Sequence, residues 1–391
     1  MQMKVRVELP GSKSKAARAL VCRFVRRCLG RGDVELRNLP ECGDTLALRD
    51  ALLQLECAAP GVLTDYYLGE GGTSLRFFVG MAASCEGMVS RIDCADALRR
   101  RPLSPLVDAL REFGADIRYT EEDGRAPLLV NGKTLLADSA VRVDGSVSSQ
   151  FASSLLLASP LWRGAGEVLV DGCVSRPYVG MTREVMQRME SLPDGGAVYE
   201  IEPDWSAASY FYEWNLLYPE VEAVLPAMRM GNDSLQGDSV CAEIFAAIGG
   251  FNGAGSGLFE RDMNATPDLV PALVVGCCVS GMPFRFTGVA HLRHKESDRL
   301  AALQTEMAKA AYRLHVGADS ICWDGRLGKR LEDWILFDAH GDHRMAMALS
   351  VAAPRIGNCE VMGMECVSKS FPGFEDELKK LTRALDSCKR D

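Results

Sequence analysis

The sequence predicts an α/β protein of two similar halves, each built from three strand-and-helix units. Strand-like and helix-like segments alternate along the chain. Six short Gly/Ser/Thr/Asp clusters each open a helix-like stretch, three per half, spaced by roughly sixty to seventy residues in the first half. The length of 391 residues favours two domains.

In the first half, Val5 to Leu9 alternates like a strand, and Leu20, Val21, Phe24, Val25 and Cys28 then mark one helical face. Thr73 to Ala83 repeats the design of a Gly cluster running into a helix. Leu103 to Phe113 is a helix opened by Arg101-Pro102, since proline suits a first turn. Leu128-Leu129-Val130 followed by Asn131-Gly132 reads as a strand entering a tight turn. Gln150 to Leu157 is an apolar helix. In the second half the helices are Trp205 to Leu217, Val240 to Ile248, Leu269 to Val279, Ser297 to Ala310 and His343 to Val351. The least structured stretch is Ser191 to Gly196, and a domain boundary is expected shortly after it.

The clusters are Gly11-Ser12-Lys13-Ser14, Gly71-Gly72-Thr73-Ser74, Gly145 to Gln150, Gly237-Asp238-Ser239, Lys295 to Arg299, and Gly341-Asp342-His343-Arg344. A helix N-terminus offers free backbone N–H groups and partial positive charge. Lys or Arg beside it makes a site for phosphate or carboxylate. Several such sites in one chain suggest very anionic small substrates. The formal net charge of −9 argues against a nucleic-acid binder with a broad basic field. The 14 cysteines contain no C-x-x-C and sit mostly among apolar residues, which favours a reducing cytoplasm over disulfides or zinc. No signal-peptide pattern opens the sequence, and the longest uncharged apolar run, Leu269 to Met282, is too short for a membrane span. His291/His294 and His340/His343 have a metal-site spacing, yet Arg293, Lys295 and Arg344 crowd them with positive charge, so no metal is expected.

Leu9-Pro10-Gly11-Ser12-Lys13-Ser14 with Arg18, and Leu68 to Arg76, resemble the first two motifs of the EPSP synthase family, the 3-phosphoshikimate 1-carboxyvinyltransferases. Arg101-Pro102, Ser146 to Phe151, Ser175 to Tyr178, Pro267-Asp268, Arg293 to Arg299, Gly341 to Met347 and Lys369 to Pro372 follow in the family's order. The resemblance implies two domains of three α/β units each, an inverse α/β barrel of the enolpyruvyl transferase type, with the active site in the interdomain cleft. It places residues 1–12 with 204–391 in one domain and 13–203 in the other. It implies transfer of the enolpyruvyl group of phosphoenolpyruvate to the 5-hydroxyl of shikimate 3-phosphate. The implied enzyme is a cytoplasmic monomer that needs no cofactor, nucleic acid or membrane.

By the same resemblance, Lys13, Gly72, Arg101, Gln150, Arg299, Arg344 and Lys369 bind phosphoenolpyruvate. Lys13, Ser14, Arg18, Ser148, Ser149, Gln150, Ser175, Tyr178, Asp268, His291 and Lys295 hold shikimate 3-phosphate. Asp268 is the base at the 5-hydroxyl, Glu296 the acid at carbon, and Lys13 assists. Arginine forks suit carboxylates and phosphates, and a glycine lets backbone approach a ligand closely. On a helix, Lys295 and Arg299 are four apart and Glu296 and Arg299 three apart, so all three can share one region.

Some positions depart from the family's pattern. Glu70 replaces an Asn, Ala16 and Ala17 replace polar residues, and His291 stands where Asn is common. The stretch from Met189 to Glu202 is shorter by about a hairpin and is expected to leave a sheet edge open. Alternative readings are a non-catalytic anion-binding paralogue and an enolpyruvyl transferase acting on UDP-N-acetylglucosamine; Ser14 after Lys13 argues against the latter, whose family has Asn there.

Overall fold

The computed structural model describes residues 2–137, 141–144, 149–164, 168–171, 176–226, 228, 234–250, 257–330 and 332–388. Two compact units divide the chain: Met1–Pro10 with Pro203–Asp391, and Gly11–Glu202. A β ladder draws the first residues to the later part of the chain. Met3–Arg6 pairs in parallel with Val221–Val224, Met3 facing Val221. Parallel strands need a crossover, and here the crossover contains the whole Gly11–Glu202 unit.

Among the described residues, each unit contains one four-stranded sheet and two parallel pairs. In Gly11–Glu202 the larger sheet runs Leu63–Tyr67, Val89–Asp93, Leu128–Asn131, Asp116–Tyr119, the first pair parallel and the others antiparallel. The parallel pairs are Val34–Arg37 with Ala197–Glu200 and Val141–Asp144 with Val168–Asp171. The other unit repeats this: Phe259–Asp262, Phe284–Thr287, Ser320–Trp323 and His315–Val316 have the same sequence of senses. Its pairs are Met3–Arg6 with Val221–Val224 and Ile335–Asp338 with Cys359–Met362. Three sheets per unit account for the three recurring sequence units in each half.

Helices fill the interior and sheets cover it. The Gly72–Ser84 helix is buried from Ser74 to Ser84, and the Val270–Ser280 helix from Val270 to Cys278, as all-round apolar helices must be. Strands such as Phe284–Thr287 alternate buried and open positions, with one face on the core and one toward water. Ala16 and Ala17, polar in the family's pattern, are buried in the Lys13–Cys28 helix.

Two local readings change. Asn131-Gly132 opens no tight turn; the antiparallel partner of its strand is the preceding Asp116–Tyr119. Glycine is required at 132 because a Cβ there would lie 2.0 Å from the Cys85 carbonyl oxygen. The helix read as Ser297 to Ala310 spans Arg299–Lys309, because the Asp298 carboxylate caps it by accepting from Ala301 N–H at 3.1 Å. Lys295 and Glu296 therefore precede the helix. The shortened Met189–Glu202 stretch still supplies the strand Ala197–Glu200. Buried Arg26 gathers its approach by donating to the carbonyls of Met189, Leu192 and Pro193.

One buried acid has no part in this scheme. Glu213, on the Trp205–Leu217 helix, is fully buried near Leu216, Phe245, Gly276 and Cys277, and neither carboxyl oxygen has a hydrogen-bond partner among the described residues. Burial pushes its pKa well up. A carboxyl raised in the folded state has its full stability below the unfolded value of about 4.5 and loses it as pH rises toward the folded value. Glu213→Gln removes that loss. The melting temperature of the variant relative to wild type is expected to rise between pH 5 and pH 8 in calorimetric scans by at least roughly 2–4 °C, the shift for about 1 kcal/mol. A difference independent of pH would contradict a neutral buried Glu213.

Candidate active site

In the Gly11–Glu202 unit, the helices Lys13–Cys28 and Gly72–Ser84 begin after Ser12 and Gly71, with no side-chain cap and no acid in the first turn. The residue before each helix thus supplies no side-chain acceptor to its first N–H groups. Lys13 Nζ lies 3.2 Å from Asp44 Oδ2, and both are largely buried. Asp44 sits in the first turn of the Gly43–Cys57 helix, and Ser74 Oγ donates to its carbonyl at 2.6 Å.

Gly72 stands at a convergence of polar groups. A Cβ there would fall 2.7 Å from Arg76 Nη1, 3.4 Å from Arg101 Nη1 and 3.6 Å from Gln150 Oε1. Arg76, buried over the Phe151 ring, donates to Gln150 Oε1, whose amide nitrogen donates to Thr73 Oγ1 at 3.0 Å. Ser149 and Gln150 open the Ser149–Ala158 helix. Half-buried Ser14 meets Arg18 through its carbonyl, at 2.7 Å from Arg18 Nη1. Arg18 is buried and also donates to Thr182 Oγ1 at 2.7 Å, the Tyr178 carbonyl at 3.1 Å and Ser153 Oγ at 3.3 Å. Burial lowers its pKa to about 10, which leaves it charged at neutral pH. Tyr178 is half-buried on the Arg176–Glu190 helix. Ser148 and Ser175 lie outside the described residues. Glu70 is exposed in the turn before Gly71.

In the other unit, Arg299 is 1% exposed and holds three carboxylates. Its Nε donates to Asp342 Oδ2 at 2.7 Å, Nη1 to Asp268 Oδ1 at 3.2 Å, and Nη2 to Glu296 Oε2 at 2.7 Å. Asp268 Oδ2 also accepts from Arg344 Nη2 at 2.7 Å. Asp342 caps the His343–Ile356 helix, taking the Arg344 N–H at 2.9 Å. One planar guanidinium thus fixes both candidate proton-transfer carboxylates, Asp268 and Glu296, in place.

The charges act on one another. Burial raises the Asp268 pKa, but Arg344, Lys295 and Arg299 outweigh it and hold the carboxyl well below the usual range. Burial lowers the Lys295 pKa, opposed by Asp268. Burial and then Lys295 bring His291 down to about 4, so it is neutral at physiological pH; its buried Nε2 has no hydrogen-bond partner among the described residues. Lys369 is half-buried at the end of the 3-10 turn Met364–Lys369. Asp238, from a cluster given no role above, is buried, accepts from Ser206 Oγ and Gln236 Nε2, and is pushed up to about 7 by burial and then by Asp268. Among the described residues no group of three or more His, Cys, Asp or Glu is arranged to hold a metal ion.

Sequence reasoning gives no role to Asp44, Arg76 or Asp342. Signals for all three exist. Gly43-Asp44-Thr45 is a seventh helix-opening cluster without a cation, Arg76 lies one helical turn from Gly72, and Asp342 is an N-cap two residues before Arg344.

The family profile described as EPSP synthase (3-phosphoshikimate 1-carboxyvinyltransferase) matches residues 1–378. A 3-phosphoshikimate 1-carboxyvinyltransferase of Bacteroides fragilis is 35% identical over 409 residues, covering 97% of this chain and 95% of the relative. One from Syntrophobacter fumaroxidans is 33% identical over 424 residues, covering 97% of each. The solved EPSP synthase of Acinetobacter baumannii has the same fold, with a TM-score of 0.72 at 22% identity, over 97% of this chain and 96% of that one.

Proposed function

We propose, because this chain belongs to the EPSP synthase (3-phosphoshikimate 1-carboxyvinyltransferase) family, that Asp268 and Glu296 carry the proton transfers of its reaction and that the surrounding cations hold its substrates. The reaction moves the enolpyruvyl group of phosphoenolpyruvate to the 5-hydroxyl of shikimate 3-phosphate and releases phosphate. Asp268 takes the hydroxyl proton as the oxygen attacks the substituted enol carbon, and Glu296 protonates the methylene carbon. The tetrahedral intermediate then gives up a methyl proton and expels phosphate. Lys13 stabilises charge at the phosphate.

The observation that carries this reading is the grip of Arg299 on Asp268 and Glu296 together. Arg344 adds a means of activating the base. While it pairs with Asp268 at 2.7 Å, the carboxylate is a poor proton acceptor. A phosphoenolpyruvate carboxylate that takes the Arg344 fork withdraws that partner, and the pKa of Asp268 rises as substrate arrives. Gly72, Arg101, Gln150 and Lys369 complete the phosphoenolpyruvate set, with Arg76 behind Gly72 as a further donor. For shikimate 3-phosphate the set is Lys13, Ser14, Ser148, Ser149, Gln150, Ser175, Tyr178, Asp268 at the ring hydroxyl, His291 and Lys295, with Arg18 acting through Ser14.

Phosphate release from phosphoenolpyruvate by purified protein tests the reading. Release is expected only when shikimate 3-phosphate is also present, and Lys13→Met is expected to reduce it roughly a hundred- to a thousandfold, the scale of losing a preorganised donor. Binding of shikimate 3-phosphate in a calorimeter without any release would show an anion-binding protein and defeat the catalytic assignment.

A further inference from the structure

We infer that Glu306 and His340 form a brace that positions the turn carrying Asp342 and Arg344 and thereby sets the affinity for phosphoenolpyruvate; the effect on affinity rests on the role given to Arg344 above. Glu306 is 1% exposed on the Arg299–Lys309 helix. Its carboxylate meets Lys309 Nζ at 2.6 Å, the Asp338 backbone N–H at 2.9 Å and His340 Nε2 at 2.9 Å. With Nε2 protonated, the imidazole donates to Glu306. The His340 backbone N–H donates in turn to Asp338 Oδ1 at 2.7 Å.

His340 needs such support. It has φ of +53° and precedes Gly341 at +65°, so the chain passes through two left-handed residues in a row, the first bearing a side chain. The turn ends where Asp342 N–H donates to the Ala339 carbonyl at 2.9 Å and Asp342 caps the helix bearing Arg344. The Arg299–Lys309 helix grips this turn twice. Arg299 holds Asp342, and Glu306, about two helical turns further on and on the same face, holds His340 and Asp338. Glu306 and His340 act on the Asp268–Arg299–Arg344 group through the turn that they hold, so both are positioning residues.

Steady-state kinetics with each substrate varied, on wild type, His340→Ala, His340→Gln, Glu306→Gln and Arg344→Lys, test the brace. His340→Ala and Glu306→Gln are expected to raise KM for phosphoenolpyruvate about tenfold, with kcat within threefold and KM for shikimate 3-phosphate within twofold. His340→Gln keeps an N–H donor and is expected to recover most of the loss. Arg344→Lys should raise the same KM at least as far. An elevated KM in Arg344→Lys with none in His340→Ala or Glu306→Gln would overturn the brace. So would a loss in kcat and both KM values together that tracks lowered melting temperature. If Arg344→Lys leaves KM unmoved, the reading of Arg344 fails and the affinity claim falls with it. Hydrogen exchange at the Arg344 amide then tests the positioning claim separately: faster exchange in His340→Ala supports it, and unchanged protection overturns it. Glu306→Gln supplies the same readouts if His340→Ala does not fold.

Discussion

Arg299→Met is expected to abolish turnover and to lower the melting temperature by about 10 °C, the effect of roughly 3–5 kcal/mol from breaking a buried ion pair in a domain of this size. The reason is the number of groups that depend on one side chain. Asp268, Glu296 and Asp342 all take hydrogen bonds from Arg299, and Asp342 is fully buried. Without the guanidinium the carboxylates repel one another. They then protonate or swing apart, and either response spoils the proton transfers assigned to Asp268 and Glu296. Arg299→Lys separates charge from geometry. A lysine returns the positive charge but has no fork to span three acids. It is expected to regain much of the thermal stability and less than a hundredth of the activity. Activity near wild type in Arg299→Lys would show that the charge alone suffices and that the fork has no catalytic part.

Replacing either candidate acid by its amide is expected to cost at least a thousandfold in kcat, with different isotopic consequences. In deuterated water the wild-type enzyme should place deuterium in the methyl group of the tetrahedral intermediate and, through reversal, in recovered phosphoenolpyruvate. Glu296→Gln should stop that uptake, because the donor at carbon is gone. Full uptake in Glu296→Gln would remove it from the acid role. Asp268→Asn should leave the carbon acid present but slow the attack that makes protonation productive. Its KM for shikimate 3-phosphate should also rise, since Asp268 is proposed to hold that substrate's hydroxyl. Rapid quench of the intermediate, read by mass spectrometry, distinguishes the two variants. Equal deuterium loss in both would mean that the carboxylates act as one unit joined through Arg299.

The parts of the site visible in the sequence were those in which the partners are near neighbours. Glu296 and Arg299 are three residues apart, and they meet. The helix boundary between them was hidden, because Asp298 could be read as a member of the charged run or as its cap, and only the folded geometry shows the cap. Long-range pairings were invisible. Lys13 meets Asp44, and Arg18 is held by Ser153, Tyr178 and Thr182, partners far along the chain that no local period signals. Arg18 therefore reads as a ligand contact in the sequence, while its guanidinium bonds inward. The three-unit plan was legible because each unit begins with the same chemical signature. The helix Gly43–Cys57 is not legible in the sequence, because its opening cluster has no Lys or Arg beside it to mark an anion site and its acid, Asp44, finds its partner Lys13 only in the fold.

The pairing of Met3–Arg6 with Val221–Val224 also bears on how the protein is made. On a ribosome adding about 5–20 residues per second, the first strand emerges roughly ten to forty seconds before its partner. By the end of that interval Gly11–Glu202 has every strand and helix it needs, while the other unit has only its opening strand and the Trp205–Leu217 helix. One unit can thus complete itself co-translationally, with the first strand waiting on a tether, its edge unsatisfied, until Val221 is synthesised. Lys4, Arg6 and Glu8 keep that waiting segment charged and discourage pairing with other nascent chains.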